Sequence, residues 1–370
     1  MLGTAGLPLG DTPLRRARAP PPPPARVPHR APPSQPRTDP VSSHAEPGQT
    51  LPPGDWLDTG DGHRVWWCEG GDPSGLPVLI VHGGPGGASR PQPAGWFDRL
   101  PVRWFALDQR GCGRSLPRGA TERNTLPQLL DDMERLRRWL GLARWALAGG
   151  SWGARLALAH AARGPECVTG LMLRSPFLGT LGETRRYIAP WRDWLGATGR
   201  AWLGEDTAEG VDTLYRGSTD LVIRDTELAL SDLTGERLIR AWQAYDDAQS
   251  APGGVAASGA RCRPEALGPA SDAMADSWRV HRHYALRGWG ELDGCPRGLP
   301  PGLAPAGRPV QVVWGDADAT CDPAVARQLA ARLGGVAREV PGAGHRMSDP
   351  RLGPALAQAA AEWVEALRRA

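Results

Sequence analysis

At residues 149–153 the chain reads Gly-Gly-Ser-Trp-Gly, directly after the apolar run Trp145 to Ala148 and before the small-residue stretch Ala154 to Ala162. The apolar run has the length and unbroken hydrophobicity of a strand buried on both faces. The stretch after the serine predicts a helix able to pack closely on a sheet, and the glycines allow a sharp turn between the two. Strand, tight serine turn and helix together point to a mainly parallel sheet covered by helices on both sides.

The flanking sequence repeats that unit. Trp56 to Trp67 predicts two short strands around an Asp61-Gly62 hairpin turn. Val78 to Val81 and Trp104 to Leu107 are buried-strand runs closed by His82-Gly83-Gly84-Pro85-Gly86-Gly87 and Asp108-Gln109-Arg110-Gly111. A helix follows, capped by Asn124 or Thr125, with Pro127 in its first turn and Gly141 just past its end. Leu129, Met133, Leu136 and Leu140 form its buried stripe. Leu171 to Leu173, Val310 to Trp314 and the stretch at Val340 predict further strands, and a helix from about Pro354 to Arg368 completes the pattern.

Two regions depart from it. Residues 1–50 hold 13 of the 38 prolines and read as a disordered Pro/Arg-rich tail, without the apolar core of a secretory signal. Between 176 and 309 no buried-strand run occurs; Trp-rich helical stretches (Trp191, Trp194, Trp202, Trp242, Trp278) flank a Gly/Ala/Pro loop near Ala251 to Ala260. The expected architecture is therefore a catalytic α/β domain made of residues 51–175 and 310–370. Residues 176–309 would form a helical cap inserted between two strands, above the strand ends that carry Ser151.

Charge and composition exclude several functions. Six Arg against three acidic residues in the first 50 account for the whole net charge of +3, so the body is neutral and offers no basic face for nucleic acid. No apolar stretch approaches the roughly 18 residues of a membrane span. The six cysteines lack CxxC spacing, which suggests neither a zinc site nor a disulfide framework, and a reducing cytoplasm is expected.

A serine hydroxyl needs a base to become a nucleophile. Asp318, just past the Val310 to Trp314 run, and His345, in Pro341-Gly342-Ala343-Gly344-His345, both fall on the sheet edge that carries Ser151. The order Ser, Asp, His fits a triad in which His345 takes the Ser151 proton and Asp318 orients the ring. Asp316 and Asp322 compete for the acid role; His82, His281 and His283 compete for the base. The Trp152 N–H and an N–H from Gly84 or Gly83 would form the oxyanion hole. The glycine loop is not a phosphate cradle, since no Gly-Lys-Ser/Thr follows it.

Together, His82 to Gly87, Asp108 to Ser115, Gly149 to Gly153, Gly315 to Asp318 and Gly342 to His345 resemble the proline iminopeptidases, over about residues 55–365. The resemblance implies the α/β-hydrolase fold and hydrolysis of the bond after an N-terminal proline, with no cofactor and no metal. Ser151, Asp318 and His345 match that family's triad, and Cys112 is expected near the site. The family binds the substrate's free amine through glutamates in two cap motifs. Here Trp242-Gln243-Ala244-Tyr245-Asp246 and Arg279-Val280-His281-Arg282-His283-Tyr284 stand in their places. Asp246, with Trp242 and Tyr245, is thus expected at the amine, and His281 replaces the second carboxylate with a possible cation. The expected substrate is a short peptide or an amino-acid amide or ester. The alternative is an esterase or amidase of altered preference.

Overall fold

The computed structural model describes residues 50–180, 182–184, 186, 187, 190, 235–258, 269–289 and 307–370. The proposed tail and Trp191, Trp194 and Trp202 lie outside the described residues.

Eight strands form one sheet: β1 (Asp55–Asp58), β2 (Arg64–Gly71), β3 (Leu76–Val81), β4 (Val102–Leu107), β5 (Trp145–Gly150), β6 (Val168–Arg174), β7 (Val310–Gly315) and β8 (Val336–Val340). Their spatial order is β1-β2-β4-β3-β5-β6-β7-β8. The hairpin β1–β2 closes with Asp58 opposite Arg64, as the Asp61-Gly62 signal predicts, and β2 joins β4 antiparallel. Every other neighbour pair is parallel.

Side chains alternate across the parallel strands with period two. Leu79, Phe105 and Leu147 face one layer with Leu129, Met133 and Leu136 of α2 (Leu126–Trp139) and Leu156 of α3 (Trp152–Arg163). Val78, Ile80, Trp104 and Ala148 face the other, against Leu356, Trp363 and Val364 of the C-terminal helix. A short turn of helix, α1 (Pro91–Gly95), precedes β4. Gln128 accepts the Thr125 N–H at the start of α2, at 3.2 Å, which marks Thr125 as the cap.

Neighbouring strands β6 and β7 are separated in sequence by the 176–309 insertion. Its described elements are helical: α4 (Gly235–Gln249), α5 (Gly254–Ser258) and α6 (Asp272–Leu286). The stretch expected as a Gly/Ala/Pro loop thus contains the short helix α5. Its start is held by the Gln249 side chain, which accepts the Val255 N–H at 3.2 Å. Two helices, α7 (Pro323–Leu333) and α8 (Leu352–Arg369), complete the chain. Among the described residues, no helix is long and apolar enough to cross a membrane.

Candidate active site

Ser151 sits between β5 and α3 with φ 54° and ψ −122°, a conformation that L-residues avoid. Its N–H donates to the Arg174 carbonyl at 2.8 Å, and its own carbonyl accepts the Ala154 N–H at 3.0 Å. The flanking glycines make the turn possible: a Cβ on Gly153 would overlap the Val81 carbonyl, and one on Gly149 would overlap the Gly153 carbonyl. A four-residue strand run plus two obligatory glycines therefore places one hydroxyl at the carboxyl edge of the sheet.

The loops after β7 and β8 bring Asp318 and His345 together. Asp318 Oδ2 lies 2.8 Å from His345 Nδ1. Its Oδ1 accepts the N–H groups of Thr320 and Cys321 at 2.9 and 2.8 Å. Burial by itself would raise the Asp318 pKa, but the His345 ring and these hydrogen bonds outweigh it and hold the carboxyl below its ordinary value. The end of α4 ties both loops down. Ser250 accepts the His345 N–H at 3.0 Å, and Gln249 donates to the Ala319 carbonyl at 2.8 Å.

Ser151 Oγ does not meet the His345 ring in this structure. Its neighbour is Cys321 Sγ at 3.8 Å. The thiol beside Ser151 Oγ belongs to Cys321, which sequence reasoning did not single out, while Cys112, expected near the site, lies against Gly86 of the glycine loop. Cys112 is fully buried, and its Sγ donates to the Arg110 carbonyl at 3.3 Å. The ligating atoms of Asp318, Cys321 and His345 lie within 4.8 Å of one another. Asp318 Oδ2 and His345 Nδ1 are paired with each other. Burial, then the Asp318 charge, push the Cys321 thiol well above its ordinary pKa, which keeps it a neutral thiol.

The rival acids and bases have other partners. Asp316 is exposed and accepts the Gly342 N–H at 2.6 Å; Asp322 caps α7 through the Ala324 N–H at 2.9 Å. His82 Nε2 accepts the Gln109 N–H at 3.0 Å, so its proton lies on Nδ1, directed at the Gly83 carbonyl 2.8 Å away. Burial lowers its pKa, which leaves it a neutral clamp on the glycine loop. His283 Nε2 lies 2.7 Å from the Asn124 carbonyl and anchors α6 to the body. Asp108 accepts N–H groups from Ser89 and Arg114 at 2.6 and 2.9 Å, a turn-building role beneath the site.

The glycine loop lies close against the serine. A Cβ on Gly83 would stand 3.4 Å from Ser151 Cβ, and Gly84 is exposed with φ 131°. Trp152 opens α3, so its N–H has no acceptor within the helix. Its buried indole donates to Gln109 at 3.0 Å and so links the elbow to the clamp on the glycine loop. Ser151 stands directly before the start of α3, where the helix dipole presents its positive end.

Asp246 and Trp242 lie one turn apart on α4. Tyr187 donates to Asp246 Oδ1 at 2.9 Å. Burial pushes the Asp246 carboxyl above its ordinary pKa against that hydrogen bond, and the His345 charge bears on it as well. Tyr245 is fully buried, and its hydroxyl donates to the Tyr187 carbonyl. His281 differs from expectation. It is 8% exposed and packs among Trp242, Trp278, Tyr187 and Trp289, with ring centroids 4.9 to 6.2 Å away. Burial lowers its pKa to about 4, against the pull of the Pro85 carbonyl, so it is neutral rather than a cation near pH 7.

Sequence reasoning missed Arg174. This buried residue gives its carbonyl to the Ser151 N–H, while its guanidinium donates to the His345 carbonyl at 2.7 Å. One residue at the end of β6 thus fixes both the serine turn and the histidine loop. A surface cavity of about 560 Å³, lined by Gly70, Phe97, Arg99 and Trp104 among others, contains none of these groups.

The fold and this sheet edge define an α/β hydrolase, and that fold family matches residues 77–349. The proline iminopeptidase of Neisseria meningitidis is 32% identical over 82% of this chain and 94% of its own. That of Arabidopsis thaliana is 44% identical over 51% of this chain and 49% of its own. The crystal structure of a proline iminopeptidase-related protein from Thermus thermophilus superposes with a TM-score of 0.54 at 24% identity, covering 85% of this chain and 99% of that one. The chain belongs to the proline iminopeptidase family of α/β hydrolases.

Proposed function

We propose that this protein is a serine aminopeptidase that releases N-terminal proline from short peptides. The observation that carries the reading is the Asp318–His345 pair at 2.8 Å, on the sheet edge that also presents Ser151 in its strained turn. With substrate bound, rotation of the serine side chain away from Cys321 would bring Oγ to His345 Nε2. His345 takes the proton as Ser151 attacks the carbonyl carbon of the N-terminal proline. Asp318 keeps the Nδ1 proton facing itself and stabilises the imidazolium.

The oxyanion is received by the Trp152 N–H and an N–H from Gly83 or Gly84. His345 then protonates the leaving amine, and water, activated by the same ring, releases proline from the acyl-enzyme. Asp246, supported by Tyr187, supplies the negative charge for the substrate's ammonium. The insertion 176–309 acts in this reading as the cap that carries the amine site, and a cytoplasmic location fits a peptide-recycling role.

The second reading, an esterase or amidase, is favoured by one feature: His281 contributes no negative charge at the amine end. A fluorophosphonate tests the shared chemistry. It should add one adduct per chain, on Ser151, and Ser151→Ala should take none. Folded wild-type protein that stays unlabelled would remove both readings.

A further inference from the structure

Ser175 is 1% exposed and directly follows Arg174, the last residue of β6. Its φ is 41°, in the left-handed region where a side chain costs stability and glycine does not. Its N–H donates to the Val313 carbonyl of β7 at 2.8 Å, and the nearby Phe177 N–H donates to the Ser151 carbonyl at 3.3 Å. Ser175 thus stands between the serine turn and the strand whose loop carries Asp318. Its hydroxyl meets no partner at full hydrogen-bond geometry, although a buried hydroxyl left unpaired is costly. The group it bears on is the Asp318 carboxylate, which it helps to keep ionised. A buried serine kept at this backbone angle beside a carboxylate is a strained outlier of the kind that gathers at functional positions.

We infer that Ser175 is a positioning residue for the hydrolysis, its hydroxyl donating to Asp318 and holding that carboxylate against His345 through the reaction. This inference rests on the triad of the proposed function, and it holds for a peptide or an ester substrate alike. An ionised carboxylate offers about four lone-pair sites. Asp318 commits three of them, to the Thr320 N–H, the Cys321 N–H and the His345 ring. The remaining one is open to a hydroxyl, whose hydrogen rotates to suit its acceptor. A donor there resists turning of the carboxylate and favours its ionised form while the imidazolium develops. No proton changes hands: the Ser175 O–H stays intact and acts on His345 through Asp318.

The test compares wild type, Ser175→Gly, Asp318→Ala and the double variant by their rate of labelling with a fluorophosphonate, and the first two also on proline p-nitroanilide. Glycine removes the hydroxyl and relieves the backbone, so Ser175→Gly should melt no lower than wild type. Its labelling rate and kcat should nonetheless fall about tenfold, from the loss of a hydrogen bond to a charged group, with KM within about twofold. In the Asp318→Ala background the same change should alter labelling by less than about twofold, because the group it acts through is gone. Undiminished rates in Ser175→Gly, or an equal loss in both backgrounds, would overturn the inference. If Ser175→Gly melts lower than wild type or does not fold, Ser175→Ala decides in its place. Alanine keeps the Cβ and the backbone strain, so it isolates the hydroxyl, with the same expected losses and the same contrary results. Folded wild-type protein that takes no label would instead sink the triad reading, and this inference with it.

Discussion

Asp318 Oδ2 lies 2.8 Å from His345 Nδ1 while the opposite oxygen accepts two backbone N–H groups of its own loop. The carboxylate is thereby fixed on both sides, and the histidine tautomer follows from it. Asp318→Asn replaces an acceptor with a group that can present N–H to Nδ1, which favours the wrong tautomer. The expected loss in kcat on proline p-nitroanilide is about 10³- to 10⁴-fold in a protein that still melts cooperatively. A loss under about tenfold in the folded variant would contradict the assigned role.

In the proposed reading Asp246 holds the substrate's amine, and its raised pKa then sets an acid limb for that binding. The neighbouring charges are Asp247, which pushes the same way as burial, and His345 and Arg346, which oppose it. A carboxyl with a raised folded pKa takes its proton at a pH above the ordinary 3.8 as acid is added. KM for proline p-nitroanilide should thus begin to rise on the acid side before an ordinary carboxylate titrates. In Asp246→Asn, KM should be about tenfold to a hundredfold higher and flat across that window. A pH-independent KM in wild type would count against Asp246 as the anion.

Below the sheet edge, Arg110 binds Asp61 and Asp132, each at 2.5 Å, with Arg110 and Asp132 buried. Burial works to raise the Asp61 pKa, but Thr59 and Arg110 outweigh it and lower the value to about 2. With a depressed folded value, the contribution is present above the unfolded 3.8 and is lost as pH falls through about 2. Asp61→Asn should therefore cost about 1–2 kcal/mol at pH 7, with the gap to wild type closing in strong acid. Urea melts at pH 7 and at pH 2 check this; a gap that widens in acid would be the wrong sign.

The glycines at the elbow differ in kind from those elsewhere. A Cβ on Gly153 would meet backbone oxygens of Val81 and His82, which have no freedom to move aside, whereas one on Gly353 in α8 meets nothing within 4 Å beyond its chain neighbours. Gly153→Ala should destabilise by about 3 kcal/mol or more, or abolish folding. Gly353→Ala should change stability by no more than about 0.5 kcal/mol, because the gain in helix propensity is offset by the clash of a Cβ with the ring of Pro354. Thermal melts of the two variants check both, and a stable Gly153→Ala would mean the turn is less tightly packed than described.

Much of this arrangement was legible in the residues. The strands after which the site loops emerge are short apolar runs closed by glycine, and their register then sets Ser151, Asp318 and His345 along one edge. The choice of Asp318 over Asp316 and Asp322 was open, because only the fold shows that Asp322 caps α7 and Asp316 faces solvent. Arg174 and Cys321 were not found as contributors: each acts through contacts with residues far away in sequence, and no local pattern marks them. The burial of His281 was not legible, because periodicity does not tell a solvated helix face from one sealed by four aromatic rings. The short helix α5 was hidden in a Gly/Ala/Pro composition that ordinarily favours a loop.

The most direct test compares kcat/KM for proline p-nitroanilide, its N-acetylated form and a simple p-nitrophenyl ester, with Ser151→Ala as the blank. The account predicts efficient turnover of the free-amine substrate, a fall of about a hundredfold or more on acetylation, and no activity above background in Ser151→Ala. Equal turnover of the free and acetylated anilides, or turnover of the ester alone, would contradict it and leave a serine hydrolase without an amine site.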